Sequence, residues 1–191
     1  LLWFDLITKT NTYPMGSKIS SDKNPVFEVK AIGSFKQKPG CPEFNLSSTD
    51  STRLNEICKG ECFNPSKERR NITRIEIIKI TPQNYNEEPI DPLIMDTWKV
   101  FECEPSQDGC KIRFTDRDFV KNERDSVYYV RAIEEPSLRI NGDNLRCDYD
   151  EDGNCTKVNI CHGSYLTDRN DNCATPSEER AWSSPIYVNQ I

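Results

Sequence analysis

The chain has 191 residues, 35% of them hydrophobic and 29% charged, with a mean hydropathy of -0.74. It is long enough to bury one substantial core, which excludes a minimal disulfide knot, and polar enough that much of it must be surface loop. Twenty-five Lys and Arg face 31 Asp and Glu, a net charge of -6, which argues against a nucleic-acid surface, and no apolar run is long enough for a membrane-spanning helix.

The opening Leu1-Leu2-Trp3-Phe4-Asp5 has no initiator Met, basic leader or small-residue cleavage site and reads as buried protein, so the chain is expected to be a piece of a longer polypeptide. Val26 to Ile32 alternates, with Phe27, Val29 and Ala31 on one face, as a half-buried strand does. Ser51 to Lys59 predicts one short helix, with Asp50 or Ser51 as N-cap and Gly60 as the stop. Ile72 to Ile80 is the strongest strand. Its apolar phase runs Ile75, Ile77 and then Ile78, Ile80, which implies burial on both faces or a bulge. Trp98 to Glu102, Lys111 to Thr115, Val127 to Ile133 and a short terminal Ile186 to Val188 complete a β-rich set. Long loops are expected over 33–49, 81–97 and 136–182. The fold is therefore mainly β: a sandwich-like or irregular antiparallel sheet with one or two short helices and long disulfide-pinned loops, in a single domain over residues 1–191.

Nine cysteines, at 41, 58, 62, 103, 110, 147, 155, 161 and 173, lie mostly in polar loop sequence. Their spacings do not form the paired ligand sets of a zinc site, and His162 is the sole histidine. Disulfides in an oxidising compartment are the favoured explanation, and place the protein in a periplasm or outside the cell. Nearest neighbours suggest Cys103 with Cys110, Cys147 with Cys155, and Cys161 with Cys173, each closed loop contributing about 2.5–3 kcal/mol by the chain-entropy argument. Cys41, Cys58 and Cys62 are left to share one bridge.

Asp148, Asp150, Asp152 and Asn154 have the alternating spacing in which carboxylates converge on a hard cation, with Gly153 for the tight turn. This is the best candidate calcium loop, although the twelfth position is Asn159 rather than a bidentate Glu, which excludes a true EF-hand; the plainer reading is an acidic turn. Asp168-Arg169-Asn170-Asp171-Asn172 and Asp116-Arg117-Asp118 read as solvated acidic turns. Glu178, Glu179 and Arg180 read as a charged helical start or an ion pair in a pocket. One histidine cannot supply a two-metal centre or a triad that needs a second imidazole, so no catalytic residue is assigned. Asn45, Asn71 and Asn154 begin N-glycosylation triplets, a pattern frequent by chance.

With these landmarks placed, Pro14-Met15-Gly16-Ser17, Gly40-Cys41-Pro42-Glu43-Phe44, Cys58-Lys59-Gly60-Glu61-Cys62-Phe63-Asn64-Pro65, Ile72-Thr73-Arg74-Ile75-Glu76, Tyr128-Tyr129-Val130-Arg131-Ala132, Ile140-Asn141-Gly142 and Glu179-Arg180-Ala181-Trp182-Ser183-Ser184-Pro185-Ile186 resemble, in this order, the C-terminal part of the large bacterial exported proteins grouped as domain of unknown function 3604. The resemblance implies an upstream region, similar to the PHP-type metal-dependent phosphoesterases, whose histidines and aspartates hold divalent metals. No position of this chain inherits those roles. The expected function is thus an accessory, structural segment of an exported PHP-like hydrolase, not catalytic alone. Its partner would be the upstream domain, with no nucleic acid, no membrane span and a small-molecule substrate of unknown identity; Arg180, Trp182 and the Tyr128-Tyr129 strand would pack near the catalytic body. The alternative is a self-standing, calcium-stabilised extracellular module that binds a glycan or a protein.

Overall fold

The computed structural model describes residues 1–39, 52–53, 63–140, 142, 147–159 and 174–191. The fold is mainly β, as the alternating segments predict. A four-stranded sheet has the order β2-β1-β4-β9, built from β1 (Leu2–Ile7), β2 (Thr12–Pro14), β4 (Val26–Ala31) and β9 (Cys110–Thr115). A six-stranded sheet has the order β3-β16-β10-β7-β8, from β3 (Lys18–Ser21), β7 (Ile72–Ile80), β8 (Ile94–Glu102), β10 (Ser126–Glu134) and β16 (Ile186–Gln190), and β15 (Arg180–Trp182) adds to β10. The pairings are antiparallel apart from β3 with β16. Three two-stranded ribbons complete the described strands: β5 (Phe35–Pro39) with β6 (Phe63–Arg69), β11 (Ser137–Ile140) with β14 (Ala174–Ser177), and β12 (Cys147–Tyr149) with β13 (Cys155–Val158). One helical turn, α1 (Phe119–Asn122), precedes β10.

The core follows from alternation. Phe4 and Leu6 of β1, Phe27, Val29 and Ala31 of β4, and Phe114 of β9 meet Ile75 and Ile77 of β7, Tyr128, Val130 and Ala132 of β10, and Ile186 and Val188 of β16. The Phe27 ring lies at the centre, 5.3 Å from Phe4, 5.0 Å from Phe114 and 4.7 Å from Tyr128 of the facing sheet. Burial of such rings, with their edge and offset contacts, holds the two sheets together.

Both explanations offered for the phase change in β7 hold. Ile75, Ile77 and Lys79 keep a constant alternation, and the register against β8 shifts between Ile77 and Lys79, near Thr97, which takes a φ of +53°. Ile78 is nonetheless fully buried, so β7 is covered on both faces. Cys103 and Cys110 are bonded. Because Cys103 follows β8 and Cys110 opens β9, this bridge ties one sheet to the other. Gly109, at φ +86°, is required beside it: a Cβ there would lie 2.1 Å from the Ala31 carbonyl oxygen.

Several expectations change. The opening segment is a full strand, β1. The loop expected over 33–49 holds β5, the one over 81–97 a short 3-10 turn at Asp91–Leu93 and the start of β8, and the one over 136–182 holds β11 to β15. These ribbons escape pattern reading because neither face is consistently buried, so no alternation is imposed on them. Of the helix expected over 51–59, only Thr52 and Arg53 are described, and they are helical. Among the described residues no helix is long and apolar enough to cross a membrane.

Candidate functional site

The acidic turn comes first, as the candidate cation loop. Cys147 and Cys155 are bonded across the β12-β13 hairpin, in which Asp148 lies within β12 opposite Lys157 while Asp150, Asp152 and Asn154 form the turn. Asp150 Oδ1 accepts the backbone N–H groups of Asp152 at 3.0 Å and Asn154 at 2.8 Å, and the Asn154 side-chain amide donates to Oδ2 at 3.2 Å. These donors, Asn154 foremost, hold the Asp150 carboxyl below its ordinary range. The carboxylate thus closes the turn in the manner of an Asx-turn. Among the described residues, no three His, Cys, Asp or Glu side chains converge in a metal-binding arrangement. Cys41, Cys58, Cys62, Cys161, Cys173, His162, the 168–172 loop and the Asn45 triplet lie outside the described residues. The Asn71 side chain donates to Glu135 Oε2 at 2.9 Å.

Asp116 is not the solvated turn residue that Asp116-Arg117-Asp118 suggests. It is fully buried, and its Oδ2 accepts Lys79 Nζ at 2.5 Å and the Tyr128 hydroxyl at 2.7 Å. Lys79 sits on the inward phase of β7, where the apolar neighbours Ile77, Ile78 and Ile80 give no sign that a partner 37 residues away will supply a countercharge.

The strongest surface candidate is the outer face of the larger sheet, where Tyr129 and Arg131 point away from the core because Tyr128 and Val130 point into it. β15 lies along β10 in the register Arg131↔Trp182, Ala132↔Ala181 and Ile133↔Arg180. The chain leaves the ladder at Ser183-Ser184-Pro185, where the Ser183 hydroxyl accepts the Val130 N–H at 3.0 Å and Pro185 has no N–H to offer. Trp182 stacks on Tyr129 with ring centroids 6.0 Å apart, and the Arg131 guanidinium sits 5.2 Å from the Trp182 ring. The indole is held in place yet remains 56% exposed.

Beneath it runs a row of alternating charge. Glu178 takes both terminal nitrogens of Arg74 at 2.8 Å, and Arg74 Nε reaches Glu76 Oε1 at 2.8 Å. Glu76 Oε2 lies 2.8 Å from Arg131 Nε, and Arg131 Nη2 lies 2.8 Å from Asp96. The Arg74 fork pulls the Glu178 carboxyl below its ordinary range. Each carboxylate braces a guanidinium, and the second guanidinium braces the tryptophan. Glu179 pairs with Arg139 at 2.7 Å and with it lines a cavity of about 240 Å³ that also touches Ser34, Ile72, Ala132 and Glu134. The 178–180 segment therefore forms ion pairs, as one of its two readings expects; Arg180 opens a strand rather than a helix.

Sequence reading gives a docking role to Trp182, Arg180 and the Tyr128-Tyr129 strand; Arg74, Glu76 and Arg131 stand in the resembling segments without a role and Asp96 is not singled out, because spacing along the chain does not connect the four. Tyr128 itself belongs to the core; its neighbour Tyr129 is the surface residue. Compared with known proteins, the chain matches no family model, no curated protein and no solved structure.

Proposed function

We propose that this chain is an accessory β-sandwich segment of an exported protein similar to the family of domain of unknown function 3604, not catalytic alone, which docks through the Tyr129–Trp182–Arg131 face onto an upstream PHP-like body of the same polypeptide. One observation carries the reading. The two most specific segments of the resemblance, Tyr128-Tyr129-Val130-Arg131-Ala132 and Glu179 to Ile186, pair strand to strand and together present a braced, exposed indole. Rigid aromatic and Arg side chains of this kind lose little conformational entropy on contact and are typical anchors of an interface. The two disulfides among the described residues support an oxidising compartment, periplasmic or extracellular. Divalent metals and the hydrolytic chemistry would reside upstream.

Thermal unfolding of the full-length protein tests this. Trp182→Ala is expected to separate the sandwich from the upstream body, so that one cooperative transition becomes two. A full-length protein whose transition is unchanged by Trp182→Ala, or which already unfolds in two independent steps, overturns the docking reading.

A further inference from the structure

The buried Lys79–Asp116–Tyr128 group has the components of a bond-forming site. Lys79 is 3% exposed, and Asp116 and Tyr128 are fully buried. The Lys79 ammonium lies 5.3 Å from the Trp98 ring centroid and 5.8 Å from that of Tyr128, so the two opposite charges share an aromatic, water-poor enclosure. Holding two such charges out of water is costly unless their geometry is close. The amine is held against the carboxyl at 2.5 Å, which removes most of the entropic barrier to a reaction between them. The two carboxyl oxygens have different partners. Oδ1 accepts the Asp118 backbone N–H at 3.0 Å, a donor suited to a developing oxyanion. Oδ2 accepts the Tyr128 hydroxyl at 2.7 Å, a proton source for a departing oxygen. Burial first, and then the Asp116 contact, push the Tyr128 phenol up, so it stays a donor.

We propose that Lys79 and Asp116 join in an intramolecular isopeptide bond, formed by the folded chain itself. A proton passes from the ammonium to the carboxylate, giving amine and acid. The Nζ lone pair then attacks Asp116 Cγ, forming the C–N bond, while charge builds on Oδ1 opposite the Asp118 N–H. A second Nζ proton moves to Oδ2, directly or through the Tyr128 hydroxyl, the Cγ–Oδ2 bond breaks, and Oδ2 leaves as water. Nζ keeps one proton as the amide N–H. One water is lost, nothing is oxidised, and no co-reactant is needed.

The position of the bond gives it a purpose. Among the described strands, β9 is an edge of the four-stranded sheet and pairs with β4 alone. Its first residue, Cys110, is already tied to the end of β8 in the other sheet by the disulfide. Asp116 immediately follows its last residue, and Lys79 belongs to β7 of that same opposite sheet. The crosslink would fasten the second end of β9 and make the sandwich covalently closed at both ends of one edge strand.

Intact mass spectrometry of the folded, purified chain, denatured and with its disulfides reduced, is the test. The wild-type chain is expected one water lighter than its sequence, whereas Lys79→Arg is expected at full mass. Tryptic digestion should show no cleavage after Lys79 and a branched peptide joining residues 75–99 to residues 114–117. A wild-type chain at full mass overturns the proposal. So does a loss of water that persists in Lys79→Arg, since dehydration at an Asp-Gly pair such as Asp108-Gly109 or Asp152-Gly153 would produce it. Should Lys79→Arg fail to fold, the presence or absence of the branched wild-type peptide decides.

Discussion

The two described disulfides close loops of nearly equal length, with sequence separations of 7 and 8, so the chain-entropy argument gives each about 2.5 kcal/mol. Their settings differ. Cys110 is 9% exposed, belongs to the core cluster and links the two sheets. Among the described residues, Cys147 and Cys155 close a ribbon that pairs with no third strand, and an isolated hairpin is marginal in water and opens without global unfolding. We therefore expect unequal outcomes. Replacing Cys103 and Cys110 together by Ala should cost about 2.5 kcal/mol from loop closure, and about 1 kcal/mol more from the packing lost at the partly buried sulfurs. At this chain length that lowers Tm by roughly 7–14 °C. Replacing Cys147 and Cys155 together should leave global stability within about 0.5 kcal/mol while abolishing amide protection in the hairpin. Urea unfolding with a common m-value measures the first quantity and hydrogen exchange the second. Equal losses of global stability in the two double variants would refute the reasoning.

Other expectations follow from single side chains. Asp150→Ala should destroy hydrogen-exchange protection in the β12-β13 turn equally with and without added calcium, because the carboxylate serves the turn's own N–H groups; an effect confined to calcium-containing buffer would instead identify a cation loop. Glu178 has a folded pKa below its unfolded value of 4.5, so its contribution is complete above that pH and is lost as pH falls through the folded value. Glu178→Gln should accordingly lower stability at neutral pH and flatten the acid limb of a stability–pH curve, whereas a parallel curve would contradict the Arg74 pairing. Asp5 has the opposite sign: burial, and then Glu28 across the strand pair, raise its carboxyl, so its charged form opposes folding and the penalty fades as pH falls. Asp5→Asn should therefore stabilise the protein at neutral pH and have no effect well below pH 3.8; destabilisation at neutral pH would refute this. Gly109→Ala meets both a positive φ and the Ala31 carbonyl and should cost more than about 1 kcal/mol in urea unfolding, with an unchanged midpoint excluding the close approach.

Legibility in the sequence tracks how many faces of a strand are buried. β4 and β10 alternate because one face meets the core, and β7 announces its double burial by its run of isoleucines. β1 is nearly continuous in apolar residues: Asp5 keeps to the outward phase between buried Phe4 and Leu6, but the apolar Trp3 and Ile7 on that same phase hide the alternation. The ribbons β5-β6 and β11-β14 carry few apolar residues, so pattern gives them no signal. Nearest-neighbour cysteine pairing succeeds for 103–110 and 147–155 because the intervening residues turn tightly enough to return the chain on itself. The candidate face was half legible. Trp182 and its flanking residues stood out by resemblance, but the row from Glu178 through Arg74, Glu76 and Arg131 to Asp96 exists only once β7, β8, β10 and β15 lie side by side. Lys79 and Asp116 were the least legible of all. Each is an ordinary charged residue in its local window, and only the packing of two sheets makes them a buried pair.

Residue-resolved hydroxyl-radical footprinting of Trp182 and Tyr129, on this chain alone and within the full-length protein, tests docking of the sandwich onto an upstream body most directly. The account predicts that Trp182, freely oxidised in the isolated chain, becomes strongly protected in the longer protein while Trp3, on the opposite sheet, keeps its reactivity. Equal oxidation of Trp182 in both would contradict it.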